Sequence, residues 1–186
     1  MNNKDIDVFI ISYNRLSYLE KLVTWLESAG FENIHIVDNN STYPPLLKYL
    51  ETSRHNVHRL EKNYGHLAVW QCKRFDDVLK NKYYIVTDCD VLPINDCPKD
   101  VTQYFFNVLK KYKNITKVGF SLKIDDLPEH FIFRDSVIDW EIQFWNKRIG
   151  EGLFNASIDT TFALYKPNIY PDNNAWWHSI RTYYPY

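Results

Sequence analysis

Cysteine is scarce in this chain of 186 residues. The three present, Cys72, Cys89 and Cys97, form neither a paired disulfide framework nor a C-x-x-C metal or redox pair. A reducing, cytoplasmic setting is the expectation. Glycine is scarcer still, with five residues where average usage would give about 13. No G-x-G-x-x-G and no G-x-x-x-x-G-K-[ST] occurs, which disfavours a dinucleotide fingerprint and a P-loop. G-x-S-x-G, H-E-x-x-H and tight Cys/His groups are missing too, so a serine elbow and a zinc protease are disfavoured. Charge has no dominant sign: 22 Lys+Arg stand against 23 Asp+Glu, which removes the basic face of a nucleic-acid binder. No apolar run approaches the roughly 18 residues of a membrane span. Met1 to Asp5 carries no apolar signal core.

Aromatic residues, in contrast, make up 17% of the chain, and the hydrophobic share of 45% suffices for a real core. Aromatic wealth suits a core and also suits stacking on flat partners such as bases and sugar rings. The length fits a single domain.

Period alternates along the first 120 residues. Residues 7–12, 33–38, 57–60, 83–87 and 117–124 read as strands, the first a nearly continuous apolar run typical of a buried parallel strand. Between them lie helical patterns. Leu16, Leu19, Leu22, Val23 and Leu26 recur at helical spacing, Ser17-x-x-Glu20 reads as a capping box, and Gly30 stands where a C-cap glycine belongs. Further helices are expected over 44–53, 66–80 and from Pro98 to Tyr112. The order predicts an α/β, Rossmann-like, mostly parallel sheet with helices on both faces. Beyond residue 125 a helix over 136–146 and a strand over 157–165 are expected, then an irregular tail over 170–186.

In such a sheet the ligand lies beyond the carboxyl ends of the strands. Ser12-Tyr13-Asn14-Arg15, Asp38-Asn39-Asn40-Ser41, Asp88-Cys89-Asp90 and Asp125-Asp126 follow four of these strands. That rim of acids, amides and one arginine calls for a cationic or hydroxyl-rich ligand. Asp88 and Asp90 close an apolar strand, whereas the other D-x-D, Asp5-x-Asp7, opens one. Two hard carboxylates on a turn can hold Mg²⁺ or Mn²⁺ and leave places for diphosphate oxygens. The alternative is a plain turn with Asp as its cap.

Taken in order, VFIISYNR, IHIVDNNS, EKNYGHLAVW, YYIVTDCDVLP and ASIDTTFALYKP resemble a GT-A nucleotide-sugar glycosyltransferase, close to the family 2-like group. VGFSLKIDDLP and VIDWEIQFW resemble a compact bacterial and viral subset of it. The resemblance implies a nucleotide-binding half over 1–116 and an acceptor-side half with the tail over 117–186. It implies that Ser12, Tyr13 and Arg15 border the nucleotide, that Asp38 and Asn39 bond the base or ribose, and that Asn63 and Gly65 bring backbone to the base. Asp88 would reach the ribose or the metal, and Asp90 would hold the metal between the phosphates. Asp125 would contact donor-sugar hydroxyls. Asp159, ahead of a late strand, matches the place of the catalytic base, with Asp126, Asp139 and Glu141 as rivals. Trp140 is either a sugar platform or core. His178 is either a metal or diphosphate ligand on a closing tail or an exposed tail residue. His66 is taken as structural.

The implied activity is metal-dependent, inverting transfer from a nucleoside-diphosphate sugar, UDP-linked first, to a saccharide or lipid-linked glycan. Mn²⁺ or Mg²⁺ is the implied cofactor, and no nucleic-acid partner is expected. A C-terminal membrane-associating helix of the family pattern is missing. The acceptor site is therefore expected to be completed by another domain, another chain or the inner membrane surface, on which the protein would sit peripherally. A sugar-phosphate nucleotidyltransferase and an inactive carbohydrate-binding module are the alternatives.

Overall fold

The computed structural model describes all 186 residues. Its core is a nine-stranded sheet with helices on both faces, in the spatial order β3-β2-β1-β4-β8-β5-β9-β7-β6. β1 is Asp7–Ser12, β2 Ile34–Asp38, β3 Asn56–Arg59 and β4 Tyr84–Asp88. These four run parallel, with β1 seated between β2 and β4. Every residue of β1 is buried, as a strand covered on both faces requires.

The helices on one face are α1 (Leu16–Ser28), α2 (Pro44–Thr52) and α5 (Val101–Lys111). They press Leu19, Leu22, Leu26, Leu46, Phe105 and Leu109 onto Val8, Ile10, Ile34 and Ile85. On the other face α3 (Ala68–Gln71) and α4 (Asp76–Asn81) bring Val69, Trp70 and Leu79 against Phe9, Ile11 and Val86, with Phe75 between them. Each fully buried Leu or Phe removes roughly 1.5–3 kcal/mol of apolar side chain from water.

α1 ends as its glycine predicts. Gly30 adopts φ +82, its N–H donates to Glu27 O, and Phe31 N–H donates to Leu26 O. The expected capping box does not form, because the helix already begins at Leu16 and places Ser17 and Glu20 inside it. The single helix expected over 66–80 is broken, since Lys73 takes φ +59 between α3 and α4.

The second half of the sheet departs further from expectation. β5 covers only Lys117–Phe120, and β8 only Ala163–Tyr165. β8 lies between β4 and β5 and is antiparallel to both. Gly119 makes that pairing possible, because a Cβ there would sit 2.4 Å from Phe162 O. The tail is not irregular: Ser179–Thr182 forms β9, fully buried and parallel to β5. A hairpin of β6 (Arg148–Gly150) and β7 (Leu153–Asn155) completes the edge beyond it. The sheet is thus parallel on its first side and mixed on its second. α6 (Arg134–Glu141) leads towards this second side.

Candidate active site

The loop after β1 is fixed by Asn14, whose φ of +53 turns the chain back. Its side-chain oxygen accepts from the N–H groups of Thr42 (2.8 Å) and Tyr43 (2.9 Å), and its own N–H donates to Ser41 Oγ (3.0 Å). The loops after β1 and β2 are therefore stitched together. Ser12 is buried at the base of this loop, while Tyr13 is 45% exposed above it.

Asp38 and Asn39 do not reach out. Both are buried, and their side chains are committed within the protein. Asp38 accepts from Ser41 N–H (3.1 Å) and Arg59 Nε (3.1 Å). Asn39 accepts from Tyr64 N–H (2.8 Å) and donates to Asn63 Oδ1 (2.8 Å) and Gly65 O (3.0 Å). Their place is to shape the Asn63–Gly65 loop, which leaves Asn63 and Gly65 exposed at the rim. In this structure both side chains are turned inward to that supporting part, and direct contact with a base or ribose would use the second lone pairs of their oxygens.

β4 delivers Asp88. Its N–H donates to Thr160 O (3.0 Å) and its carboxylate accepts from Thr160 Oγ1 (2.6 Å), while Cys89 N–H donates to Ile11 O (3.0 Å). Burial pushes the Asp88 carboxyl up to about 6; the Thr160 hydrogen bond opposes this, and the nearby charges of Asp90 and Asp159 add to it. Asp90 follows on the same turn and forms an ion pair with Arg15 from the end of the β1 loop.

Asp88 and Thr160 line a cavity of about 500 Å³ together with His66, Asp159, Trp140, Trp177 and Arg181. That volume lies within the usual range for small-molecule sites. Asp159 stands in a loop rather than at the start of a strand, because β8 begins only at Ala163. The loop is pinned by the fully buried Ile158, by Ile158 N–H donating to Ser179 Oγ (3.0 Å) and by Tyr165 Oη donating to Asp159 O (2.9 Å). The Asp159 carboxylate itself is exposed, 3.9 Å from His66 Nε2.

The rivals for the base are placed differently. Asp125 and Asp126 are exposed and each lies 3.4 Å from Lys123 Nζ, outside the cavity lining. Asp139 is exposed on α6 and also outside that lining. Glu141 reaches the cavity wall but is buried in an ion pair with Arg181 (2.7 Å). A carboxylate held that way is a poor proton acceptor, since removing it from the pair leaves a buried charge uncompensated.

His178 does not line the cavity. It precedes β9 at the end where Ser179 faces Lys117, the opposite end of β5 from Phe120, and its carbonyl accepts from Thr116. Nor does the tail form a flap: Trp176 and Arg181 are 2% and 3% exposed, Arg181 is part of the cavity wall from within β9, and Trp177 is exposed beside it.

No group of three or more His, Cys, Asp or Glu side chains is gathered to hold a metal ion. Asp88 and Asp90 nevertheless suit Mg²⁺ or Mn²⁺ as a two-carboxylate half-site. Such ions take hard oxygen ligands and usually keep water and substrate phosphate in their remaining positions. Burial is the main cause of the Asp88 rise and the charges of Asp90 and Asp159 a smaller one; a cation beside the carboxylate would favour its charged form.

No protein-family model matches the chain, and no curated protein matches its sequence. Its fold is similar to that of a solved mannosyltransferase, PcManGT from Pyrobaculum calidifontis, in complex with GDP-Man and Mn2+. The TM-score is 0.56 at 14% identity, over 89% of this chain and 45% of that one. The chain thus spans about half the length of that enzyme. At this identity the likeness is one of fold alone: an α/β sheet with helices on both faces. No helix is long and apolar enough to cross a membrane.

Sequence reasoning missed His66 and Arg181 as parts of the cavity. His66 follows Gly65 directly, so its position beside a rim glycine was a usable signal. Arg181 gave none, because its partner Glu141 lies 40 residues away.

Proposed function

We propose that the chain is a metal-dependent, inverting glycosyltransferase of the GT-A, family 2-like kind. It moves a sugar from a nucleoside-diphosphate sugar to a hydroxyl of a saccharide or glycolipid. The observation that carries this reading is one cavity shared by Asp88, at the end of β4, and Asp159, on the loop before β8. The donor is read as UDP-linked from the motif resemblance. GDP is its first rival, because the mannosyltransferase of similar fold was solved with GDP-Man and Mn2+.

Asp88 and Asp90 would hold Mn²⁺ or Mg²⁺, which would supply positive charge to a departing diphosphate. The protein's own residues supply the rest. Thr160 fixes the Asp88 carboxylate by its 2.6 Å hydrogen bond. Tyr13, Asn63 and Gly65 border the nucleotide at the exposed rim. The acceptor oxygen bonds to the anomeric carbon on the face opposite the breaking bond to the diphosphate, and its proton passes to the Asp159 carboxylate. Trp140 and Trp177, 64% and 60% exposed, offer flat apolar faces to a sugar ring beside that carboxylate. We place the enzyme in the cytoplasm, peripheral to the membrane when the acceptor is lipid-linked.

The test is a panel of UDP-, GDP- and dTDP-sugars incubated with the protein and Mn²⁺. Released nucleoside diphosphate reads slow donor hydrolysis before the acceptor is known. Release with one nucleotide class, lost on adding EDTA, is expected. Pyrophosphate release from UTP and a sugar phosphate would point to a nucleotidyltransferase instead. Silence with every donor and with UTP would leave a carbohydrate-binding module.

A further inference from the structure

The pairing of Arg15 with Asp90 has no part in the chemistry above, and resting on that reading we propose that it is a latch. In the ligand-free protein the Arg15 guanidinium occupies the Asp90 carboxylate, so the Asp88/Asp90 pair is a weak metal site until a diphosphate draws Arg15 away. Metal and nucleotide then bind with positive cooperativity, through an exchange of partners at one arginine.

Four observations carry it. The pair joins the loop after β1 to the turn after β4 across 75 residues of chain, and Asp90 is two residues from Asp88, which lines the cavity. The Arg15 side chain is 57% exposed, whereas its backbone is fixed by the bonds of Asn14 to the β2 loop; the guanidinium can move while its root stays put. Arg15 is the N-cap residue of the thirteen-residue α1 and makes no side-chain cap, so a swung-out guanidinium stands beside unsatisfied helix amides that also favour phosphate. Finally, the carboxylate pair lacks a third protein ligand, so nothing else in the chain compensates for an Asp90 already engaged.

The forces have the right order. A solvent-exposed ion pair is weak, and a diphosphate offers the guanidinium fork more negative charge and more oxygens than a single carboxylate does. The latch therefore opens readily for a diphosphate, yet its presence still taxes metal binding. Linkage makes the effect reciprocal: whatever factor the diphosphate adds to metal affinity, the metal adds to diphosphate affinity.

The experiment measures Mn²⁺ affinity by the electron-paramagnetic-resonance signal of the free ion, with and without saturating UDP or GDP. It compares the wild type, Arg15→Gln and Arg15→Lys, with Arg54→Ala as an exposed control outside the site. Arg15→Gln should tighten Mn²⁺ binding in the absence of nucleotide about two- to fivefold, the span of an exposed ion pair. It should also shrink the gain in Mn²⁺ affinity that the diphosphate produces. Arg15→Lys should fall between, and Arg54→Ala should match the wild type. Unchanged Mn²⁺ affinity in Arg15→Gln, with only nucleotide binding weakened, would make Arg15 a plain phosphate ligand and overturn the latch alone. No Mn²⁺ binding by the wild type with either diphosphate would overturn the proposed function, and the latch with it.

Discussion

Asp159→Asn is expected to abolish transfer while leaving donor binding intact. The amide keeps the size and polarity of the carboxylate but cannot take the acceptor proton, and loss of a general base typically costs 10²–10⁴ in rate. A drop of about 10³ corresponds to roughly 4 kcal/mol of transition-state stabilisation. Because Asp159 is exposed at the cavity and its loop is held by Ile158 and Tyr165 rather than by the carboxylate, folding should be unaffected. Donor affinity, read by thermal shift with Mn²⁺ and the active nucleotide-sugar, should match the wild type. Retained transfer would move the base to another group, and His66, 3.9 Å away, would be examined first.

Lys117→Met should stabilise the protein by about 3 kcal/mol at neutral pH. Lys117 is fully buried in β5, its Nζ has no hydrogen-bond partner, and it lies 3.5 Å from the centre of the Trp176 ring. Burial pulls its ammonium from an ordinary value of 10.5 down to about 7; the charge of Asp159 opposes that shift and that of Arg181 assists it. A displacement of that size costs on the order of 4–5 kcal/mol, and the contact with Trp176 offsets up to about 2 of it. The sign follows from linkage. Between pH 7 and 10.5 the unfolded chain binds the proton that the folded chain has released, so wild-type stability from this group rises with pH across that window. The advantage of the methionine variant should therefore be full at and below pH 7 and fade towards pH 10.5. For a chain of this length each kcal/mol moves Tm by about 2–4 °C. A methionine variant less stable than the wild type at pH 7 would show that the Trp176 contact outweighs desolvation.

Much of the first half was legible because its signals are local. β1, β2 and β4 are apolar runs that must be covered on both faces, and Gly30 caps α1 as its position implies. Asp88 stood out because it ends such a run. The second half was obscured for physical reasons. β8 is only three residues long, and its direction is set by its neighbours rather than by its own pattern. β9 reads as polar, Ser-Ile-Arg-Thr, yet all four residues are buried. Their polar atoms find partners far away in sequence: Ser179 Oγ donates to Ala156 O, Arg181 pairs with Glu141, and Thr182 Oγ1 donates to Gly119 O. No periodicity rule anticipates a strand whose hydrogen-bonding side chains are satisfied by tertiary contacts. The same holds for Asn39, whose hold on the Asn63–Gly65 loop is a tertiary contact that no local pattern announces.

Everything proposed for the reaction depends on the two carboxylates of the β4 turn. The direct measurement is a crystal grown with Mn²⁺ and the nucleoside diphosphate of the active donor, with data collected at the manganese absorption edge. An anomalous peak at about 2.0–2.6 Å from an Asp88 or Asp90 carboxylate oxygen, bridged to the diphosphate, is the predicted result. A diphosphate bound in the site with no manganese peak at either aspartate would contradict it.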